Sequence, residues 1–89
     1  MFTPVYTHQF EKDVKRMLRC GKYSDKIKTI IRSLISGDTL DPVHRNHKLV
    51  GNWHGRRECH IESDWLLIYK IDEDQIIFER TGSHSDLFR

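Results

Sequence analysis

The hydrophobic residues of this chain change period once, and that change dictates which elements it can build. Up to about residue 36 they recur at helical spacing, and beyond about residue 48 they alternate. Ile27, Ile30, Ile31, Leu34 and Ile35 fall at i, i+3, i+4, i+7 and i+8, with Gly37 as a stop. Ser24 is the expected cap of that helix, and Asp25 sits in its first turn, where a negative charge suits the dipole. Upstream, Phe10, Val14, Met17 and Leu18 share another helical face, opened by Thr7 as N-cap and closed by Gly21 in a left-handed C-cap. Two such helices joined by about four residues make an αα-hairpin. Thr3 to Tyr6 reads as a short strand, with Pro4 at its edge or start.

After a loop rich in breakers (Gly37, Asp38, Asp41, Pro42), the alternating part begins. Leu49 and Val50 read as a strand start. In Arg57–Glu62, Cys59 and Ile61 point one way, and Glu58, His60 and Glu62 the other. Ser63-Asp64 is a turn, and Trp65 to Ile71 is so apolar that it reads as a central strand covered on both faces. Asp72-Glu73-Asp74 turns the chain into a last strand, Gln75 to Arg80, ended by Gly82. The fold expected is α+β: one domain over residues 1–89, two N-terminal helices packed on a three- to four-stranded antiparallel sheet, with the short N-terminal strand as an addition. The isoleucine face and the Cys59/Ile61 face then meet, which leaves His60 displayed on the far side of the sheet.

The chain has no apolar run near the roughly 18 residues that suggest a membrane span, and its start shows no secretion signal. Two cysteines, Cys20 and Cys59, with no Cys-x-x-Cys, fit free, partly buried thiols in a reducing cytoplasm. Charge is uneven. Met1 to Ser36 carries eight Lys/Arg against three acids, and the remainder seven against ten. Such a basic half attracts polyanions, although Lys12, Lys15, Arg16, Arg19, Lys26, Lys28 and Arg32 read equally as solvated helix faces.

Six histidines is a high count for 89 residues. His44-x-x-His47 has no standard zinc spacing, and successive strand residues such as Cys59 and His60 face opposite ways, so no metal or other cofactor is expected. Metal-free RNA cleavage needs a base for the ribose 2′-OH, a cation for the phosphorane and an acid for the 5′-oxygen. Histidine serves as base or acid near neutrality, arginine supplies a fixed charge, and aromatic rings stack on bases. His47, His60, His84, Arg57, Trp65 and Phe88 offer all of these. Each also has a plainer reading: solvated loop histidines, a Trp65 packed in the core, an Asp64 bonded to its own turn, a Phe88 anchoring the tail, and Arg57 and Arg80 in ordinary ion pairs.

The run NHKLVGNWHGRRECHIESDWLLIYKI, followed by FERTGSHSDLF, resembles the YafQ-type toxins of the RelE superfamily. Three blocks carry the likeness over about Asp41 to Phe88: His-x-Leu-x-Gly-x-Trp-x-Gly, Arg-x-x-His-Ile-x-x-Asp-Trp, and Arg-Thr-Gly-x-His-x-x-Leu-Phe. The resemblance implies the toxin of a bacterial type II toxin–antitoxin pair, an endoribonuclease that cuts messenger RNA on the ribosome. Its functional positions fall on His47, His60, Asp64, Trp65, His84 and Phe88. On this reading His60 or His47 is the base, His84 the acid, Arg57 the transition-state charge, and Asp64 either orients a histidine or accepts from the RNA. Trp65 and Phe88 shape the pocket or stack on bases, with Arg80, Arg56 and Lys48 binding RNA around it. The implied partners are messenger RNA, the ribosome and a dimeric DNA-binding antitoxin, through which operator DNA is bound indirectly; no membrane is involved. The competing expectation is a ParE-like toxin that binds DNA gyrase without catalysis, because fold alone does not separate the two. A plain interaction domain is the third.

Overall fold

The structure, a computed structural model, describes residues 1–88. The elements in order are β1 (Thr3–Tyr6), α1 (His8–Arg19), α2 (Ser24–Ser36), β2 (His47–Lys48), β3 (Arg57–Glu62), β4 (Trp65–Asp72), β5 (Gln75–Gly82) and α3 (His84–Leu87). The strands form one sheet in the order β1-β5-β4-β3-β2. It has five strands rather than three or four, and it is mixed, since β1 runs parallel to β5 while the other pairs are antiparallel. A parallel neighbour needs a long connection, and the helical hairpin is the first part of that connection. Pro4 lies on the edge strand β1, where its missing N–H is tolerated.

Helix ends follow local chemistry. The Thr7 hydroxyl accepts the Phe10 N–H and caps α1. Gly21 and Gly37 take the left-handed conformation that closes each helix, at φ +90° and +78°. Ser24 is instead the first residue of α2; Tyr23 holds the cap position without a side-chain bond. Leu18 lies off the packed stripe and is 39% exposed. Cys59 is buried, but Cys20 is exposed. The strand expected at Leu49 and Val50 begins earlier and stops at Lys48, because Gly51, at φ +66°, starts a short turn over Gly51–Trp53.

The sheet has two cores. Phe10, Met17, Ile27, Ile30 and Leu34 from the helices pack on Cys59, Ile61, Trp65, Leu67, Tyr69, Ile76 and Phe78. On the opposite face Leu66, Ile68 and Leu87 form a smaller cluster with Leu49 and Trp53 against it. A bulge interrupts β3: His60 pairs with Leu66 and Glu62 with Trp65, leaving Ile61 as the extra residue. A bulge re-aims the side chains beyond it. Glu62 therefore leaves the side of His60, where alternation put it, and meets Lys22 and Lys26 of the helical layer at 2.7 and 2.6 Å.

A buried carboxylate locks α1 to the sheet. Asp13 is fully buried and accepts from Arg80 Nε at 2.6 Å, Arg80 Nη2 at 3.2 Å, the Thr81 N–H at 3.2 Å and Gln9 Nε2 at 3.0 Å. Thr81 in turn donates its hydroxyl to the Leu66 carbonyl and accepts the Trp65 indole N–H. Removing one partner of a buried ion pair is costly. Asp13→Ala should lower unfolding free energy by about 3 kcal/mol, read from the midpoint of urea denaturation; an unchanged midpoint would contradict this role.

Candidate active site

The face of the sheet turned away from α1 and α2 collects the histidines. His47 on β2 lies directly opposite Glu58 on β3, so the two side chains share a face. His60, two residues along β3, shares it too. Glu58 is only 4% exposed, and its Oε1 lies 3.6 Å from His47 Nε2 and 3.3 Å from His60 Nε2. Helix α3 brings His84 alongside. Ring centroids are 6.5 Å apart for His47 and His60, and 5.8 Å for His60 and His84.

Each imidazole is fixed by an acceptor. His47 Nδ1 donates to the Arg45 carbonyl at 2.6 Å. Arg45 is left-handed at φ +45°, a conformation that costs a non-glycine residue free energy. His84 meets Asp64 twice: its backbone N–H and its ring Nδ1 both reach Asp64 Oδ1 at 2.9 Å. A capping box between Ser83 and Asp86 starts α3 and fixes the same residue from behind. His44, which the sequence did not single out for chemistry, donates Nδ1 to the His60 carbonyl at 2.7 Å and ties its loop to β3. A carbonyl or carboxylate only accepts, so Nδ1 carries the proton in His44, His47 and His84.

Of the residues expected from sequence, His47, His60, Asp64 and His84 converge here, and Phe88 joins at their edge, 6.3 Å from the His84 ring. Others do not. Trp65 is fully buried beneath the helices with its N–H on Thr81 Oγ1, so it supports the site from within and does not stack on RNA. Arg57 pairs with Tyr69 of the helix-side core and donates to Asn46 Oδ1 at 3.3 Å. Alternation gives it the face of Cys59, across the sheet from His60, which sets it apart from the histidine row. Arg80 is bound to Asp13. Arg56 is paired with Glu79 at 2.8 Å, and Lys48, exposed on β2, lies opposite Arg57 and so shares its face of the sheet, away from His47. Glu58 was legible as the i−2 neighbour of His60 on one strand face, but nothing in the sequence showed that it would be buried between two histidines.

Donor atoms of Glu58, His60 and His84 all lie within 4.8 Å of one another, and a small inward shift would bring this nitrogen–oxygen set to the ligand spacing of a zinc or copper ion. Cys59 is outside this chemistry: burial first, and the Glu58 carboxylate second, push its thiol up to about 12.

Comparison with known proteins gives one answer. The family model of the bacterial YafQ toxin of type II toxin–antitoxin systems matches residues 2–89. The mRNA interferase toxin YafQ of Escherichia coli strain K12 is 42% identical over 84 residues, 93% of this chain and 91% of that protein. Among solved structures, YafQ in the Escherichia coli DinJ–YafQ complex superposes with a TM-score of 0.93 at 39% identity, covering all of both chains. A copper-bound mutant toxin from Helicobacter pylori superposes with a TM-score of 0.94 at 36% identity, covering 99% of this chain and 100% of its own.

The Asp64 anchor has a pH signature. The His84 backbone N–H first, and the His84 ring second, hold the Asp64 carboxyl below its ordinary range. A depressed folded value means that the tie is complete above the ordinary aspartate value of about 3.9 and is lost as pH falls through the lower one. The step that Asp64 titration causes in the His84 amide proton shift should thus have its midpoint below about pH 4. In Asp64→Asn that acid-range movement should vanish. A midpoint at or above the ordinary aspartate value would contradict the anchor.

Proposed function

The chain belongs to the YafQ family of type II toxin–antitoxin toxins, and from that premise we propose that it is an mRNA interferase: an endoribonuclease that cuts ribosome-bound messenger RNA by attack of the ribose 2′-OH, with histidines as base and acid. The observation that carries this reading is the row of three imidazoles, 6.5 and 5.8 Å apart, each held in one orientation on one face.

His60 is the base. With Nε2 turned to the Glu58 carboxylate, its Nδ1 is the nitrogen left to take the 2′-OH proton, and Glu58 stabilises the imidazolium that forms. His84 is the acid. Asp64 holds Nδ1–H, so Nε2 delivers the proton to the departing 5′-oxygen. His47, at the other end of the row, stabilises the phosphorane, a task for which Arg57 stands on the other face of the sheet. The bond from phosphorus to O5′ breaks as the bond to O2′ forms, leaving a 2′,3′-cyclic phosphate and a 5′-hydroxyl. If a metal ion bound, Glu58, His60 and His84 would hold it, and it would supply a Lewis acid at the phosphate. The proton transfers above rest on the side chains alone.

Substrate delivery falls to the basic helical layer. Arg16 is engaged with Asp13 and Asp86, and Lys26 with Glu62. Lys12, Lys15, Arg19, Lys28 and Arg32 remain exposed for ribosomal RNA. The partner is a cognate antitoxin, as DinJ is for the Escherichia coli relative. A dimeric DNA-binding antitoxin would also carry the toxin to operator DNA. No described helix is long and apolar enough to cross a membrane. The ribosome sets the cytoplasm as the place of action. Gyrase binding, the competing reading, has no use for the histidine row.

His60→Ala and His84→Ala should each slow single-turnover cleavage of ribosome-bound messenger by roughly 10²–10⁴-fold, with ribosome affinity unchanged. The wild-type protein should keep its full rate in EDTA and leave cyclic phosphate ends. Activity that disappears in EDTA and returns with added metal would reject the mechanism.

A further inference from the structure

The row of rings does not stop at the histidines. Phe88 follows His84 at 6.3 Å, and Trp53 follows Phe88 at 6.0 Å with the two planes at 77°. From His47 to Trp53 the successive spacings are 6.5, 5.8, 6.3 and 6.0 Å. Beyond His84 the surface opens into a cavity of about 580 Å³ lined by Asn52, Trp53, Arg56, Leu87 and Phe88. Within it, two aromatic planes meet almost at a right angle.

We propose that Trp53 and Phe88 form a binding site for the nucleobase on the 3′ side of the cleaved phosphodiester, the one attached to the departing 5′-oxygen. This deepens the ribonuclease reading and rests on it, because the polarity comes from the role of His84. A residue that protonates the 5′-oxygen stands next to the nucleotide carrying that oxygen. Whatever lies past His84, away from His60, therefore receives that nucleotide. The cavity lies there.

The walls suit a base. Trp53 packs against the Leu66, Ile68 and Leu87 cluster, so it is held in place before RNA arrives. It sits on the turn that Gly51 permits through its positive φ. A base laid against one ring has its edge closed by the other. Arg56, fixed by Glu79 Oε1 at 2.8 Å and the His54 carbonyl at 3.2 Å, borders the pocket with a guanidinium plane. Asn52 adds an amide able to donate and accept at a base edge. Stacking tolerates any base, since each has a π face.

The test uses messenger RNAs on ribosomes in which the nucleotide just 3′ of the cut keeps its ribose but lacks its base. Single-turnover cleavage by the wild-type protein should slow by roughly 5–150-fold, the span of alanine substitutions at base-stacking aromatics. Trp53→Ala should lose a similar factor on intact RNA and should no longer discriminate between intact and abasic RNA. Trp53→Phe should recover most of the rate and the discrimination, which separates stacking from damage to the fold. Three results would overturn the pocket: no abasic penalty in the wild type, a full penalty retained in Trp53→Ala, or a penalty that falls on the nucleotide 5′ of the cut. Any of these in a protein whose His84→Ala variant is still inactive leaves the acid–base mechanism standing. A His84→Ala variant as fast as wild type would remove the mechanism itself.

Discussion

Strand β4 is apolar on both faces, and the molecule is arranged around covering it twice. The helical hairpin covers Trp65, Leu67 and Tyr69, but Leu66 and Ile68 face the other way. Leaving two such side chains in water forgoes about 1.5–3 kcal/mol each. Among the described residues, the turn that carries Leu87 and the loop that carries Leu49 and Trp53 do that job. Leu87 goes down onto Leu66 and Ile68, and α3 with it. A helix of four residues has no stability of its own. It exists because Leu87 is buried, Ser83 and Asp86 cap it, and Asp64 grips its first amide. The same docking sets His84 beside His60. Burial on the second face is thus what assembles the site, and the aromatic corner of Trp53 and Phe88 is part of the same cover.

Electrostatics then give the assembled rings separate roles. A carboxylate as buried as Glu58 is costly unless hydrogen-bonding groups stand beside it. Two imidazoles do, His47 from the neighbouring strand and His60 from its own. Asp64 is the contrast: exposed, and stabilised as an anion chiefly by the His84 amide. His60 and His84 each meet a carboxylate through one ring nitrogen, whereas His47 lies between the Arg45 carbonyl on one side and Glu58 on the other. Environments that push titrating groups into different roles are the usual means of obtaining both an acid and a base from one residue type.

Much of this was legible in the sequence, for definite reasons. Helical periodicity located α1 and α2, and Thr7, Gly21 and Gly37 marked their ends, because caps depend on a few neighbouring residues. Alternation in β3 put His60 opposite Cys59, and continuous apolarity in β4 announced two covered faces. Other features depend on distant partners. The parallel pairing of β1 with β5 leaves no local trace. The bulge at Ile61, which turns Glu62 toward Lys22 and Lys26, shifts the register by one residue within an unbroken alternating pattern. Arg57 lies apart from the histidine row, and the same alternation that placed His60 already puts it with Cys59. Trp65 and Arg80 carry the family's motif positions yet serve packing, one beneath the helices and one on Asp13.

The central claim is that His84 hands a proton to the leaving oxygen. It is tested most directly with a messenger in which sulfur replaces that 5′-oxygen at the cleaved linkage, because a thiolate departs without needing a proton. His84→Ala should recover most of its roughly 10²–10⁴-fold loss on the sulfur linkage, while His60→Ala stays slow on both. A His84→Ala variant equally impaired on oxygen and sulfur linkages, or a rescue of His60→Ala instead, would contradict the account.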